Sequence, residues 1–456
     1  MKFASLRRRE RLCTMACLLL FVIALSRYWV FDRTEVVSHN IESLRLATNI
    51  AERGRFANPF SPLDTGPSAH MAPGFPAMLA ILICLFGDGR DGMYAIKLSA
   101  AIVLSVFLAL FPIFSKALGM GYLNGIIAAA IWIAAKVGLV VLPNGHQAVA
   151  MFFFESFYVA IPLAFAVCWF WRYLDSPVNR PKWLAWFIGG AIGVSMLISP
   201  TVVTIYIGLF GLVLFAEKFT AYKRPDLWII VLLPLILATP WTIRNFLTFN
   251  RLIFLRDNFG LELSVSNNDC ASFGFQRNIE TGCFAKEHPN ANLEEAGKVL
   301  TLGEVKYNDL KLREAEDWIK THPATFVRLC ALRTAAFWMP PPYSLHEPGR
   351  RLERFTIYLM TLLSAAGLFM LFRRDSLSAV VCLTCLVLFP IVYYIVQYEY
   401  RYRYPILWIT FLLGSLPITT VAQRTYNAVY SGRRGGFGTN RGWRKERRES
   451  TQNLKP

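Results

Sequence analysis

Two acidic residues stand where a carboxylate has no ordinary reason to be. Glu42 lies alone between Ile41 and Ser43, and Glu155 sits inside Met151-Phe-Phe-Phe-Glu155-Ser-Phe. A carboxylate among apolar neighbours is costly unless it is paired or functional. The same surroundings raise its pKa, which suits a general base and equally suits a buried ion pair. An Arg45 partner three residues on is the bland account of Glu42, whereas function is the stronger account of Glu155. Asp32, Glu35 and Asp64 are the other acidic candidates near Glu42. Arg27, Lys136 and Arg244 each fall near one end of an apolar run. There a cation either snorkels to lipid headgroups or holds an anion.

The elements that must position these groups are membrane helices. The chain has 456 residues and a net charge of +18, yet only 17% of its residues are charged and 55% are hydrophobic. Its mean hydropathy is +0.39. Soluble domains carry roughly 25% charged residues, so a soluble fold is excluded. Many of the cations fall in tails and short loops, where they set topology, and so they give no sign of nucleic-acid binding. Runs of about 20 residues, enough to cross ~30 Å of hydrocarbon, begin near Leu12, Met93, Tyr122, Phe153, Trp183, Thr201, Leu227, Phe355, Leu377 and Tyr404. The pattern predicts an all-α polytopic membrane protein with about ten transmembrane helices. The apolar stretch from Pro73 to Phe86 is too short to span and reads as an interfacial helix.

Charge then fixes the orientation. Arg7, Arg8, Arg9 and Arg11 place the N-terminus in the cytoplasm. With Pro73 to Phe86 in the interface, Lys116, the Arg172/Arg180/Lys182 loop, the Lys218/Lys223/Arg224 loop, Arg373/Arg374 and the basic tail also fall inside. Both termini are then cytoplasmic, and the first run is a retained signal-anchor without an Ala-x-Ala-like cleavage site. Residues 1–421 form the transmembrane unit, and 422–456 form a basic, disordered cytoplasmic tail that attracts anionic lipids. Two long segments remain outside: a first outer loop, 32–91, with interfacial helices, and a large outer loop, 244–350, read as a helical cap.

Local signals fill in these loops. Ile41, Leu44, Ala47 and Ile50 form a helical stripe beside Glu42. Asn292 and Glu295 have N-cap and N3 spacing, and an amphipathic stretch from Leu310 to Ile319 stops at Thr321-His322-Pro323. All six histidines, at 39, 70, 146, 288, 322 and 346, fall on the outer side. The membrane centres are nearly free of ionisable groups, which places the chemistry at the outer face rather than at the midplane site of a transporter. Cys270 and Cys283 share the large outer loop, where an oxidising compartment permits a disulfide; two unpaired thiols are the alternative. The outer loops hold no Asn-x-Ser/Thr sequon, which favours a bacterial cell membrane.

The order of these motifs resembles a known family. Glu42 on a helix, then Gly54-Arg-Phe56-Ala-Asn-Pro59-Phe60, Thr65-Gly66-Pro67 and Pro73-Gly-Phe-Pro76 ahead of a short apolar helix, resembles the first outer loop of the GT-C superfamily. The similarity is closer to the bacterial branch related to protein O-mannosyltransferases and the lipid A aminoarabinose transferase. Pro240-Trp241-Thr-Ile-Arg244-Asn245, Arg256-Asp-Asn258-Phe-Gly260-Leu-Glu262, His288-Pro289, Gly303-Glu304, His322-Pro323 and Arg401-Tyr-Arg403-Tyr-Pro405 are similar to that branch as well. The resemblance extends from about residue 12 to 421.

The resemblance implies a GT-C-like, inverting glycosyltransferase that takes a sugar from a polyprenyl-phosphate carrier. The acceptor, at the outer leaflet, would be a glycan, a lipid or a protein. It also implies that Glu42 is the essential acid of the first outer loop and that Arg244, Arg256, Arg401 and Arg403 bind the carrier phosphate. Glu155 as a second acidic group and Lys136 as a further cation complete the candidate site. The chemistry is consistent, because a sugar phosphate already has a good leaving group. Such a reaction needs a carboxylate for the acceptor's proton and cations for the departing phosphate. Arg suits that role through its planar fork.

Two departures stand out. Glu42 has no Asp beside it, unlike the O-mannosyltransferase branch. Where the aminoarabinose branch has an acidic residue and a Lys associated with a divalent metal, this chain has Ala69-His70-Met71-Ala72-Pro73. The cofactor stays open between a divalent metal held by His70 and none, a solvated histidine being the bland alternative. The competing functional reading is a non-enzymatic lipid-linked saccharide transporter or envelope-assembly protein, which requires charges deep in the spans. A scaffold whose outer loop docks partners is a third.

Overall fold

The computed structural model describes residues 2–28, 41–61, 63–141, 147–149, 154–175, 181–216, 224–342 and 349–434. Asp32, Glu35, His39, His146, Arg180, Lys218, Lys223, His346 and tail residues 435–456 lie outside the described residues. In hydrocarbon a backbone must satisfy its own hydrogen bonds, so the apolar runs fold as helices. In chain order these are α1 (Lys2–Tyr28), α2 (Glu42–Arg53), α3 (Gly74–Phe86), α4 (Arg90–Ala109), α5 (Phe111–Ala117), α6 (Tyr122–Ala134), α7 (Ser156–Asp175), α8 (Lys182–Ile198), α9 (Val203–Ala216) and α10 (Pro225–Phe249). A cap follows: α11 (Phe259–Ser266), α12 (Phe275–Glu280), α13 (Cys283–Glu287), α14 (Leu293–Leu302), α15 (Glu304–Thr321) and α16 (Pro323–Trp338). The chain then returns through α17 (Gly349–Arg374), α18 (Ser376–Leu388), α19 (Ile391–Ile395) and α20 (Tyr404–Arg434).

Among the described residues, seven helices are long and apolar enough to cross a membrane: Glu10–Tyr28, Arg90–Ala117, Ser156–Leu174, Pro225–Phe249, Arg351–Arg374, Ser376–Ile395 and Tyr400–Val429. Tyr122–Ala134, Lys182–Ile198 and Pro200–Phe215 are shorter apolar helices and coincide with the remaining expected runs. Leu19, Phe215, Ile236, Leu247 and Phe369 lie exposed on the outside of the bundle, an apolar surface that water would not tolerate and lipid would. The expectation of an all-α polytopic membrane protein is borne out. Among the described residues, two short antiparallel strands, β1 (Leu139–Val141) and β2 (Gln147–Val149), add to it. α20 continues to Arg434. No Gly or Pro interrupts the chain between Pro417 and Gly432, so nothing breaks the helix earlier.

Inside the bundle, small residues and one polar knot set the spacing. A Cβ on Gly367 of α17 would meet the Leu413 carbonyl oxygen at 1.8 Å, and one on Gly414 of α20 would meet that of Met360 at 2.7 Å. The two backbones therefore touch, the usual way helices associate in lipid. Asn124 of α6 is fully buried; it donates to the Leu412 carbonyl at 2.9 Å and accepts from Ser415 and Thr419 of α20.

At one end of the bundle, α2 packs on α3, and the segment between them meets the cap. Gly54 ends α2 in a left-handed conformation (φ 62°) that Gly adopts without strain, and its N–H bonds the Asn49 and Ile50 carbonyls. The cap helices start and stop where the sequence indicated. Asn292 caps α14 by accepting from the Glu294 and Glu295 amides, and α15 ends at Thr321. Cys270 and Cys283 are joined in a disulfide. Phe60, from the segment after α2, is buried with Leu261, Val265, Val299 and Tyr307 of the cap. That small core holds the α2 segment against α11, α14 and α15.

Candidate active site

Glu42 is the first residue of α2, and Ser43, Leu44, Leu46 and Ala47 of the same helix are buried against the bundle. Its carboxylate is therefore held at a fixed place, at a helix N-terminus that favours negative charge. The expected Arg45 partner turns elsewhere, its Nε donating to the Asn58 carbonyl at 3.2 Å. Glu42 instead meets two histidines: Oε2 lies 3.1 Å from His70 Nε2, and Oε1 lies 3.6 Å from His288 Nε2.

Both rings are buried, and His70 Nδ1 has no hydrogen-bond partner among the described residues. His70 is 1% exposed. Its backbone N–H donates to Ser68 Oγ at 2.9 Å, and the neighbouring Ala69 N–H donates to Glu304 Oε1 at 2.6 Å. His288 stacks on Phe284 at 4.5 Å, and Phe60 stands edge-on to both rings. The Asn290 N–H donates to His288 Nδ1 at 3.0 Å, so a neutral His288 carries its proton on Nε2, facing Glu42.

These contacts separate the protonation states. Burial alone would raise the Glu42 carboxyl, but the charge and hydrogen bond of His70, with His288 and Arg401, hold it down to about 2. Burial would lower His70, yet the Glu42 carboxylate beside it raises the imidazole above its ordinary 6.5. His288, with burial dominant, falls to about 4 and stays neutral. The site thus sets a carboxylate held low beside one imidazole pushed up and a second that stays neutral. Behind it, burial pushes Glu304 up to about 7.

A pH prediction follows from these directions. His70 is raised, so its contribution to stability is complete below about 6.5 and is lost as pH rises through the raised value. Glu42 is lowered, so its contribution is present above 4.5 and is lost only as pH falls towards about 2. The unfolding temperature in detergent should therefore fall on the alkaline side of about pH 6.5, and fall less in His70→Gln. An identical alkaline slope in the variant would refute the pairing.

Glu42 opens on a cavity of about 430 Å³ that His70, Glu155, Arg256, Glu262, His288, Glu399 and Arg401 also line. The opposite wall is the short 3-10 segment Tyr400–Arg403. Arg401 Nε donates to Glu399 Oε2 at 2.6 Å, its Nη1 lies 3.8 Å from Glu155 Oε2, and its guanidinium covers the Phe154 ring at 3.8 Å. Among the described residues, Glu155 Oε2 has no hydrogen-bond partner, and neither does the buried Nε of Arg256. Glu262, in the first turn of α11, accepts from Asn258 Nδ2 at 3.2 Å, and burial raises its carboxyl.

Five of the residues singled out in the sequence thus share one cavity: Glu42, His70, Glu155, Arg256 and Arg401. Three stand apart from it. Arg244 donates to the carbonyls of Ser68 at 2.6 Å and Phe56 at 2.9 Å and covers the Trp241 ring at 4.8 Å. It clasps the α2–α3 segment to α10. Arg403 donates to the Trp338 carbonyl at 2.7 Å and to Thr361 and Thr410 hydroxyls. Lys136 follows α6 at φ 56° and lines neither this cavity nor the second one, described below. Glu399 was not singled out in the sequence, although Glu399-Tyr-Arg401 carries both partners. His288, Glu262 and Glu304 appeared there only inside motifs, without a role. Among the described residues, no group of three His, Cys, Asp or Glu is placed to hold a metal ion.

This is the fold of the GT-C membrane glycosyltransferases. Among solved structures, the chain is similar to the Archaeoglobus fulgidus oligosaccharyltransferase. With its apo form the identity is 14% and the TM-score 0.55, over 92% of this chain and 52% of that one. With the form tethered to an acceptor peptide containing the NVT sequon, the values are 13% and 0.53, over 91% and 50%. With the complex with Zn and sulfate, they are 13% and 0.52, over 90% and 49%. The chain spans about half the length of that protein, and the likeness is one of fold. No family model and no curated protein sequence matches the chain.

Proposed function

We propose that this protein is an inverting glycosyltransferase of the bacterial cell membrane that moves a sugar from a polyprenyl-phosphate carrier to an acceptor outside the cytoplasm. One observation carries the reading: the Glu42 carboxylate and the Arg256 and Arg401 guanidinium groups line the same cavity. Arg256 and Arg401 take the departing phosphate, the unpartnered Nε of Arg256 being a ready donor. Glu42, kept ionised by His70, accepts the acceptor's hydroxyl proton. A weak carboxylate base suffices here, because the attacking oxygen becomes acidic as its bond to the anomeric carbon forms. Thr201 and Val392 extend the lining towards the membrane helices, and the carrier's tail runs past them.

The archaeal protein's complex with Zn and sulfate raises a divalent cation as a cofactor. In this chain His70 Nε2 is hydrogen-bonded to Glu42 and its Nδ1 has no partner among the described residues, where no group of three His, Cys, Asp or Glu is placed to hold a metal ion. Mass spectrometry of envelope glycans and glycoproteins from a deletion strain tests the proposal. A sugar missing from one class of product is expected, and an unchanged glycan profile would refute it.

A further inference from the structure

A second cavity, of about 310 Å³, lies on the other side of Glu399. A thin wall divides it from the first. In that wall the Tyr398 N–H donates to the Phe273 carbonyl at 2.7 Å, and the Phe275 N–H donates to the Tyr398 carbonyl at 2.9 Å. The floor is made by Ile357 of α17 and Leu407 of α20, both within helices apolar enough to span a membrane. Arg277 and Glu280 of α12 and Arg354 of α17 stand around it.

The ionic groups of this cavity have partners, with one exception. Arg277 pairs with Glu280 at 3.4 Å, and Glu399 with Arg401 at 2.6 Å. Glu353 accepts from the Gly138 N–H and the Tyr404 hydroxyl, and Arg403 is held by carbonyls and hydroxyls. Arg354 has no hydrogen-bond or ion-pair partner among the described residues, although it is half-buried. A cation left without an anion beside an apolar floor matches an amphiphile with a negative head. Glu42 lines the first cavity and not this one, so an occupant here does not meet the proposed base. We propose that this cavity holds an anionic phospholipid of the surrounding bilayer, its phosphate on Arg354 and its chains along Ile357 and Leu407.

The test uses the full chain in nanodiscs of equal phosphatidylglycerol and phosphatidylcholine, with retained lipids counted by native mass spectrometry. The parent should keep phosphatidylglycerol over phosphatidylcholine by about fivefold, the preference of one cation at an anionic lipid surface. Arg354→Gln should lose the preference. Arg351→Ala, which removes an exposed cation one turn away on the same helix, should keep it. Ile357→Trp, which fills the floor and leaves Arg354 in place, should also lose it; this second variant decides the matter if Arg354→Gln fails to fold. No headgroup preference in the parent, equal loss in Arg351→Ala, or full retention in both Arg354→Gln and Ile357→Trp would overturn the proposal.

Discussion

Glu42→Gln is expected to lower sugar transfer by about a thousandfold while leaving the protein folded. Gln has the same shape and keeps an oxygen to accept from His70, so α2 and its packing on α3 are preserved. What it loses is the charge and the capacity to take a proton. Removing a positioned general base typically costs between a hundredfold and ten-thousandfold. The middle of that range suits Glu42, whose carboxylate is fixed by two histidines, at 3.1 and 3.6 Å. Binding of the lipid-linked donor should change little, because the phosphate is assigned to the opposite wall. A folded Gln variant that transfers at the parent rate would remove Glu42 from the mechanism.

Arg401→Ala is expected to fail in two ways. Glu399 and Glu155 would be left with no cation between them; Arg401 and Glu399 are nearly buried, with side chains 18% and 8% exposed. Removing one partner of a buried pair costs about 3 kcal/mol or more, so the unfolding temperature should fall. Transfer should fall as well, by about a hundredfold, the cost of one lost donor to a developing anion. Arg401→Lys separates the effects: it restores the charge, and with it the fold, but lacks the planar fork. Its expected signature is a near-parental unfolding temperature with transfer still depressed. An Ala variant that unfolds and transfers like the parent would contradict both roles.

Most of the architecture was legible in the sequence because bilayer physics is periodic and local. Apolar runs, Asn292 as a cap, the Thr321-His322-Pro323 stop and the paired positions of Cys270 and Cys283 needed no tertiary knowledge. The shallow, one-sided gathering of polar groups was legible too and singled out Glu155, whereas the roles of Glu42, Arg256 and Arg401 came from the resemblance of their motifs to the GT-C loops. What was not legible was the destination of each long side chain. Arg244, Arg256, Arg401 and Arg403 look alike along the chain. Only the folded arrangement sends two of them to the cavity and the other two to backbone carbonyls. The Glu42 to His288 contact was hidden for the same reason, since it joins residues far apart in sequence through a cap whose docking depends on Phe60.

The glycine contact between α17 and α20 reaches further than its own neighbourhood. Gly414 lies about 20 Å along the helix from Arg401 at 1.5 Å per residue. With backbones in direct touch there is no compliant layer of side chains to absorb a displacement. Tyr404 and Arg403 also tie the start of α20 to Glu353 and Thr361 of α17. The two helices therefore behave as a single strut. A methyl group inserted at mid-bilayer would be transmitted along that strut to the guanidinium at its tip, so the alignment of a surface reaction is set by a packing decision made deep in the lipid.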